Sequence, residues 1–258
     1  MKELELDQIY NLDCLEGMKQ IPNGAIDCII CDLPYGTTAN KWDSIIPLDQ
    51  LWEQYKRIIK RGAPIVLFGS QPFTAQLVVS NLPWFRYEWI WQKDRGSNFA
   101  NAAYMPMREH EDIVVFGESP ITYNPQLQER FGSGSDRVKY KFNASSVSTN
   151  YSAGVQTKEG CKKEQAELRV PSSVQFFPTD KGDDHFHPTQ KPVDLLRYLI
   201  RTYSNEGDTI LDNCMGSGTT AVACIKEKRH FIGFELNKDY WNKACRRIDA
   251  ERRQLSLF

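Results

Sequence analysis

The stretch TILDNCMGSGTTAVACI (Thr209–Ile225) decides the architecture. A short apolar run stops at an acid and two glycines and resumes as a helix-length run of small and apolar residues. Strand, glycine turn and helix account for it. Glycine allows the tight turn and lets a ligand approach the backbone. Gly216, Gly218 and Ala221 satisfy the spacing G-x-G-x-x-G/A of nucleoside-binding turns. The next apolar run, HFIGFEL (His230–Leu236), reads as a second strand ending on Glu235, an acceptor placed for ribose hydroxyls. No Gly-Lys-Ser/Thr follows the glycines, which excludes an ATP P-loop.

The turn alone does not separate a dinucleotide from S-adenosylmethionine. Asp212, just before the glycines, favours the latter. A carboxylate repels a pyrophosphate and attracts a sulfonium and an ammonium. Its plainer reading is a turn aspartate satisfied by its neighbours.

Outward from this stretch, strands alternate with helices. On the N-terminal side, IYNLD, AIDCIICD, APIVLFGS, FRYEWIWQK and EDIVVFG read as strands. PLDQLWEQYKRIIKRG is an amphipathic helix with Leu48, Leu51, Trp52, Tyr55, Ile58 and Ile59 on one face. CLEGMKQI and FTAQLVVSNL are further helices. PVDLLRYLIRTYS precedes the glycine turn as a helix, and KDYWNKACRRIDAERRQ closes the pattern with an arginine-rich outer face. The fold class is therefore α/β, a mainly parallel, doubly wound sheet with helices on both faces. Between Glu118 and Lys181 the pattern dissolves, and nine basic residues stand against seven acidic ones in a chain whose net charge is −1. This reads as an insert, functional or mobile. The organisation is 1–117, an inserted 118–186, and 187–258.

With 258 residues, 41% hydrophobic and 25% charged, the composition is that of a globular protein. The balanced charge confines any nucleic-acid surface to a local patch. Apolar runs are too short to span a bilayer, and MKELELDQIY is not a signal peptide. Seven cysteines without an export signal imply reduced thiols and a cytoplasmic location. Cys28 and Cys31 form a CxxC. In a strand these positions point to opposite faces, so they read as small core residues rather than a metal pair. The four histidines show no ligand spacing, and no metal is expected.

The second chemical stretch is CDLPYG (Cys31–Gly36), which follows a buried strand. Ligands of parallel sheets bind beyond the carboxyl ends of the strands, so this turn and the glycine turn can face one crevice. An exocyclic amine of adenine or cytosine is a poor nucleophile because its lone pair is delocalised. Two fixed acceptors, the Asp32 carboxylate and the Leu33 carbonyl, can hold its N–H groups and free the lone pair. Pro34 fixes the backbone. Tyr35 offers a stacking face worth about 1–3 kcal/mol per base.

Asp32-Leu-Pro-Tyr35 resembles the D-P-P-Y motif of amino-methyltransferases, and Asp212-Asn-Cys-Met-Gly-Ser-Gly-Thr-Thr220 resembles their D-P-F-x-G-S-G-T-T motif. His187-Pro-Thr-Gln-Lys-Pro192 matches H-P-T-Q-K-P, and Asn11-Leu-Asp-Cys-Leu-Glu16 is similar to G-D-C-L-E. In this order they resemble the permuted, β-group DNA N6-adenine and N4-cytosine methyltransferases, over most of the chain outside Glu118–Lys181. The resemblance implies a circularly permuted Rossmann-like methyltransferase fold. The catalytic half comes first, then the target-recognition insert, then the cofactor half. It implies S-adenosylmethionine as cofactor, with Asp13 and the Cys14 backbone at its adenine. His187, Thr189, Gln190, Lys191 and Pro192 would hold the methionine part. Asp212, Gly216, Gly218, Thr219 and Thr220 would line the methionine and ribose end, Glu235 would meet the ribose hydroxyls, and Asn213, Ser217 and Leu236 would be further cofactor-binding residues. Leu33 replaces a proline where only the carbonyl is needed. Asn213-Cys214 replaces Pro-Phe. Aspartate at the first motif position favours adenine.

An amine inside a duplex is out of reach, so the base must leave the stack. Asn40, Lys41 and Trp42 after the catalytic turn, and Lys93, Arg95 and Arg108 around a second polar loop, are candidate contacts to double-stranded DNA. Arg137, Lys139 and Lys141 lie in the insert, the candidate sequence reader. The leading expectation is an adenine-N6 DNA methyltransferase, with cytosine N4 as the alternative. An NAD-type oxidoreductase leaves HPTQKP and DLPYG unexplained. Asp32 and Tyr35 argue against an inactive DNA-binding module. A homodimer and a cognate restriction endonuclease are family-level candidate partners.

Overall fold

Among the described residues, eight strands form one sheet in the order β1 (Gln8–Tyr10), β10 (His230–Phe234), β9 (Thr209–Asp212), β2 (Cys28–Cys31), β3 (Ile65–Gly69), β5 (Arg108–Phe116), β4 (Phe85–Ser97), β8 (Val174–Phe176). The computed structural model describes residues 4–36, 43–129, 168–180, 186–187 and 189–255. The elements are β1 (Gln8–Tyr10), α1 (Cys14–Met18), β2 (Cys28–Cys31), α2 (Leu48–Ile58), β3 (Ile65–Gly69), α3 (Phe73–Ser80), β4 (Phe85–Ser97), β5 (Arg108–Phe116), β6 (Gln128–Glu129), β7 (Leu168–Arg169), β8 (Val174–Phe176), α4 (Val193–Tyr203), β9 (Thr209–Asp212), α5 (Thr219–Lys226), β10 (His230–Phe234) and α6 (Lys238–Leu255). From β1 to β3 every neighbouring pair is parallel. β5 runs antiparallel to both β3 and β4, and β8 lies parallel to β4. The one reversed strand follows from the connection: β4 and β5 are joined by ten residues without a crossover helix, and such a link returns antiparallel.

The period-two pattern divides the core into two layers. Cys28, Ile30, Val66, Phe68, Ile113 and Val115 face one side with α4, α5 and α6. Ile29, Cys31, Ile65, Leu67, Val114 and Phe116 face the other with α2, α3 and the residues of α1. Cys28 and Cys31 therefore enter opposite layers, as the strand period predicts. In α2 the buried residues are Leu51, Trp52, Tyr55 and Ile58, the face read from the sequence.

From β9 the chain moves to β10 on one side; from β2 it moves to β3 on the other. The crevice of a doubly wound sheet opens at such a reversal. β1, first in the chain, pairs with β10, the last strand, as a circular permutation requires. By compactness the chain separates into Met1–Asn124 with Ser173–Phe258, and Pro125–Ser172. The sheet takes β8 from within the 118–186 segment. In the smaller unit β6 pairs antiparallel with β7. No helix among the described residues is long and apolar enough to cross a membrane.

Candidate active site

Three carboxylates stand at the carboxyl ends of three adjacent parallel strands: Asp32 just after β2, Asp212 closing β9, and Glu235 just after β10. Each is held differently.

Asp32 accepts the Tyr35 hydroxyl on Oδ1 at 2.7 Å and the Lys191 ammonium on Oδ2 at 2.5 Å. Burial raises its pKa, Lys191 opposes the rise, and Glu111 adds to it. Leu33 is buried. Tyr35 stacks on Phe73 with ring centroids 5.3 Å apart and planes at 25°, which fixes the plane of the phenol. The backbone N–H of Gly36 donates to Asp43, closing the turn.

Asp212 is buried, and no cation among the described residues pairs with it. Its Oδ1 accepts the Cys214 N–H at 3.0 Å and its Oδ2 the Thr220 hydroxyl at 2.6 Å. Burial pushes its pKa up to about 6 against those hydrogen bonds. Each Asp212 oxygen has one protein donor, which fits the plainer turn reading and still leaves lone pairs open to a ligand. Asn213 is buried and accepts the Tyr55 hydroxyl of α2 at 2.5 Å. Gly216 and Gly218 have φ of 53° and 77°, a region open to glycine. A Cβ at Gly218 would meet Ala244 of α6 at 3.2 Å. Ser217 and Thr219 share a hydrogen bond of 2.9 Å, and Arg247 of α6 reaches the Ser217 carbonyl and the Thr219 hydroxyl. So α6 is not wholly a solvated face: one arginine braces the glycine turn.

Glu235 accepts the Gly216 N–H on Oε2 at 2.8 Å and the Asn237 N–H on Oε1 at 2.7 Å, tying the turns after β9 and β10 together. Burial raises its pKa against those two bonds. Leu236 is exposed, and its carbonyl, with that of Glu235, accepts the Asn11 side-chain amide. Asp13 caps α1 through the Leu15 and Glu16 N–H groups. Cys14 is buried, its thiol pushed up by the Cys214 thiol and by burial.

His187 packs edge-on against Tyr240, centroids 4.3 Å apart, with Thr189 at its Nδ1. Pro192 precedes α4. Gln190 donates to Asp180 at 3.2 Å, while its buried Oε1 has no partner. Lys191, expected among the residues that hold the methionine part, donates to Asp32 and lies 3.2 Å from Glu111.

Among the candidate DNA contacts, Lys93 is not an exposed cation: its ammonium pairs with Glu111 at 2.5 Å and lies 4.9 Å from the Trp91 ring centroid. A phosphate would have to displace that carboxylate. Arg95 and Arg108 are exposed at the stem of the β4–β5 hairpin. Asn40, Lys41, Trp42, Arg137, Lys139 and Lys141 lie outside the described residues. No group of three or more His, Cys, Asp or Glu among the described residues is placed to hold a metal.

Sequence reading missed Glu111, Tyr55 and Arg247. The signal for Glu111 was the charged run Arg108–Asp112 directly before IVVF. Because β5 is reversed, its start lies at the same edge as the ends of the parallel strands.

Fold and site thus define an α/β protein with a glycine turn after β9 and an acidic turn after β2, on neighbouring strand ends at the switch point. Over residues 26–246 the chain matches a family described as DNA methylase, and it belongs to that family. It is 27% identical over 264 residues to the DNA adenine methyltransferase YhdJ of Escherichia coli strain K12, spanning 95% of this chain and 84% of that protein. It is 26% identical over 261 residues to the Type II methyltransferase M1.MboII of Moraxella bovis, spanning 93% and 96%. The crystal structure of the M1.HpyAVI–SAM complex shares the fold, with a TM-score of 0.64 at 21% identity over 93% of this chain and 98% of that one.

Proposed function

We propose that this DNA methylase transfers a methyl group from S-adenosylmethionine to the N6 amine of adenine in double-stranded DNA. The observation that carries the reading is Asp32, directed by Tyr35 and Lys191 at the switch point, with the glycine turn on the neighbouring strand β9. The residues present fit the cofactor. Three carboxylates on adjacent strand ends suit a cationic ligand, and the unpartnered Gln190 Oε1 is a buried acceptor suited to an ammonium. Gly216, Gly218 and Glu235 would hold the nucleoside end, and His187, Thr189 and Gln190 the amino-acid end. When bound, S-adenosylmethionine supplies an activated methyl group.

The chain does the rest. The Asp32 carboxylate and the Leu33 carbonyl take the two N–H groups of the target amine, which localises the nitrogen lone pair. Tyr35, backed by Phe73, stacks on the extruded base. The nitrogen becomes cationic as it is alkylated, and the Asp32 charge stabilises that cation before its extra proton passes to solvent water. Extrusion costs a few kcal/mol, offset by this stacking and hydrogen bonding. Adenine is favoured over cytosine by the aspartate at the first position of the catalytic motif. A nuclease of the same specificity and a second copy of the chain are the partners this reading suggests.

Expression in a methylation-free host followed by single-molecule sequencing of the DNA tests it. N6-methyladenine at one recurring sequence is expected; N4-methylcytosine there, or unmodified DNA, overturns the adenine reading. Asp32→Ala should bind S-adenosylmethionine as the wild type does, yet lose about 100-fold or more in transfer.

A further inference from the structure

Glu111 has no part in those roles, yet it lies buried between two lysines, hydrogen-bonded to one and paired by charge alone with the other. Its Oε1 accepts from Lys93 Nζ at 2.5 Å and its Oε2 lies 3.2 Å from Lys191 Nζ. The same Lys191 ammonium donates to Asp32 Oδ2 at 2.5 Å. The four side chains, Lys93, Glu111, Lys191 and Asp32, are only 10%, 14%, 9% and 23% exposed. They form a row of alternating charge from β4 through β5 to the catalytic turn. Two cations and two anions leave the row neutral.

We propose that Glu111 is a positioning residue for methyl transfer: it holds Lys191 against Asp32 and cancels the ammonium's charge, while Lys93 limits how much of the Glu111 charge reaches Lys191. The proposal rests on the function given above. Transfer builds positive charge on a nitrogen beside Asp32. An uncompensated ammonium on that carboxylate would oppose this charge. Glu111 removes the opposition and leaves Lys191 as a donor that aims the carboxylate. The other groups facing Asp32 are Tyr35 on its own turn, the Cys31 thiol on β2 and Asp212 on β9. The ring beneath Lys191 is Phe68, 5.1 Å from its Nζ. Burial would raise the Glu111 pKa, but Lys191 and Lys93 outweigh it and hold the carboxyl below its ordinary range. Burial would lower Lys191, but Asp32 and Glu111 outweigh it and hold the ammonium protonated.

Removing one charge at a time gives opposite signs, which a merely structural role would not. Glu111→Gln exposes Asp32 to more positive charge, so the Asp32 titration should move down by about 0.5–1 pH unit. Single-turnover transfer should fall about tenfold or more, with S-adenosylmethionine affinity kept. Lys93→Met should move the titration up by a similar amount, and the double variant should return it close to the wild-type position. The readouts are carbon-detected NMR of the Asp32 carboxyl, assigned by its loss in Asp32→Asn, and the acid limb of the single-turnover rate. Shifts of the same sign, or none, overturn the proposal. So does a Glu111→Gln protein that loses cofactor affinity and is not rescued by Lys93→Met. If Glu111→Gln does not fold, Lys93→Met alone decides by the direction of its shift. If the wild type transfers no methyl to DNA, the functional reading fails, while the carboxyl titrations still judge the charge row.

Discussion

Two aspartates close adjacent strands at one sheet edge, yet they are kept by opposite means. Asp32 follows β2 and is held by an ammonium and a phenol; Asp212 ends β9 and is held by a hydroxyl and an amide. Burial raises both. Only Asp32 has a cation within hydrogen-bond distance to keep it ionised. A carboxylate that must bear charge while a nitrogen becomes cationic needs such a partner. One that shapes a turn is served by neutral donors, which fix direction without cancelling charge. The turn after β2 is therefore held by charge, and the turn after β9 by neutral hydrogen bonds.

Lys191→Met is the sharpest break of this contrast. It leaves Asp32 and Glu111 as neighbouring carboxylates with the ammonium between them gone. Breaking a buried pair costs about 3–5 kcal/mol, unless one partner takes up a proton. Both carboxyl pKa values then rise in the folded state. Because a raised carboxyl pKa binds protons in the native form, the stability penalty should grow as pH rises through the raised values. Denaturant titrations at pH 5 and pH 8 should show the larger loss at pH 8, and transfer should fall about 100-fold or more. Equal penalties at both pH values, with activity kept, would mean that Asp32 needs no cation and that the two aspartates are alike.

Why this row was not read from the sequence has a physical cause. Asp32–Tyr35, the glycine turn and His187–Pro192 are contiguous, so spacing alone exposes them. The opposite burial of Cys28 and Cys31 follows from the strand period, and the buried face of α2 from the helix period. Glu111 depends on strand direction. Assigned to a parallel strand, the start of EDIVVFG belongs at the edge away from the crevice. Only the direct β4–β5 connection brings it to the near edge. Lys93 illustrates the same limit: its charge is visible in sequence, but whether it meets a phosphate or a carboxylate depends on what β5 places beside it. Arg247 likewise sits in a run that looks solvated, and only the close approach of α6 to Gly218 shows it bracing the turn.

On the cofactor side the contrast is sharpened by Asp212→Asn. The folded carboxyl titrates near pH 6, above its unfolded value. Wild-type stability therefore carries a term that falls as pH rises from about 4 to about 6 and stays lost above. The asparagine variant lacks it. At pH 4 the folded carboxyl is protonated, and the variant should be the less stable protein because an amide NH2 cannot accept from Thr220 whereas the hydroxyl oxygen of the neutral acid can. By pH 7 the gap should close by on the order of 2 kcal/mol. Thermal midpoints measured across this range check it. A constant gap would place Asp212 with Asp32, as a charge compensated by something other than its two hydrogen bonds.

The smallest effect tests what joins the two sides. Tyr55 belongs to α2, against the layer beneath the catalytic turn, and its buried hydroxyl donates to Asn213 in the glycine turn. Asn213 stands where the motif it resembles has proline, and this side-chain bond ties the turn to α2. Tyr55→Phe leaves the Asn213 acceptor buried and unmet, a cost of about 1–3 kcal/mol. Asn213→Leu in the same protein removes the orphaned acceptor, so the double variant should recover part of the loss, giving a coupling energy of about 1 kcal/mol in the mutant cycle. The hydroxyl touches the turn and no reacting group. Its loss should therefore weaken S-adenosylmethionine binding a few-fold by calorimetry and leave single-turnover transfer at saturating cofactor unchanged. A slower transfer at saturation would show instead that α2 carries strain from the glycine turn to Asp32, and that the two sides are one electrostatic and mechanical unit.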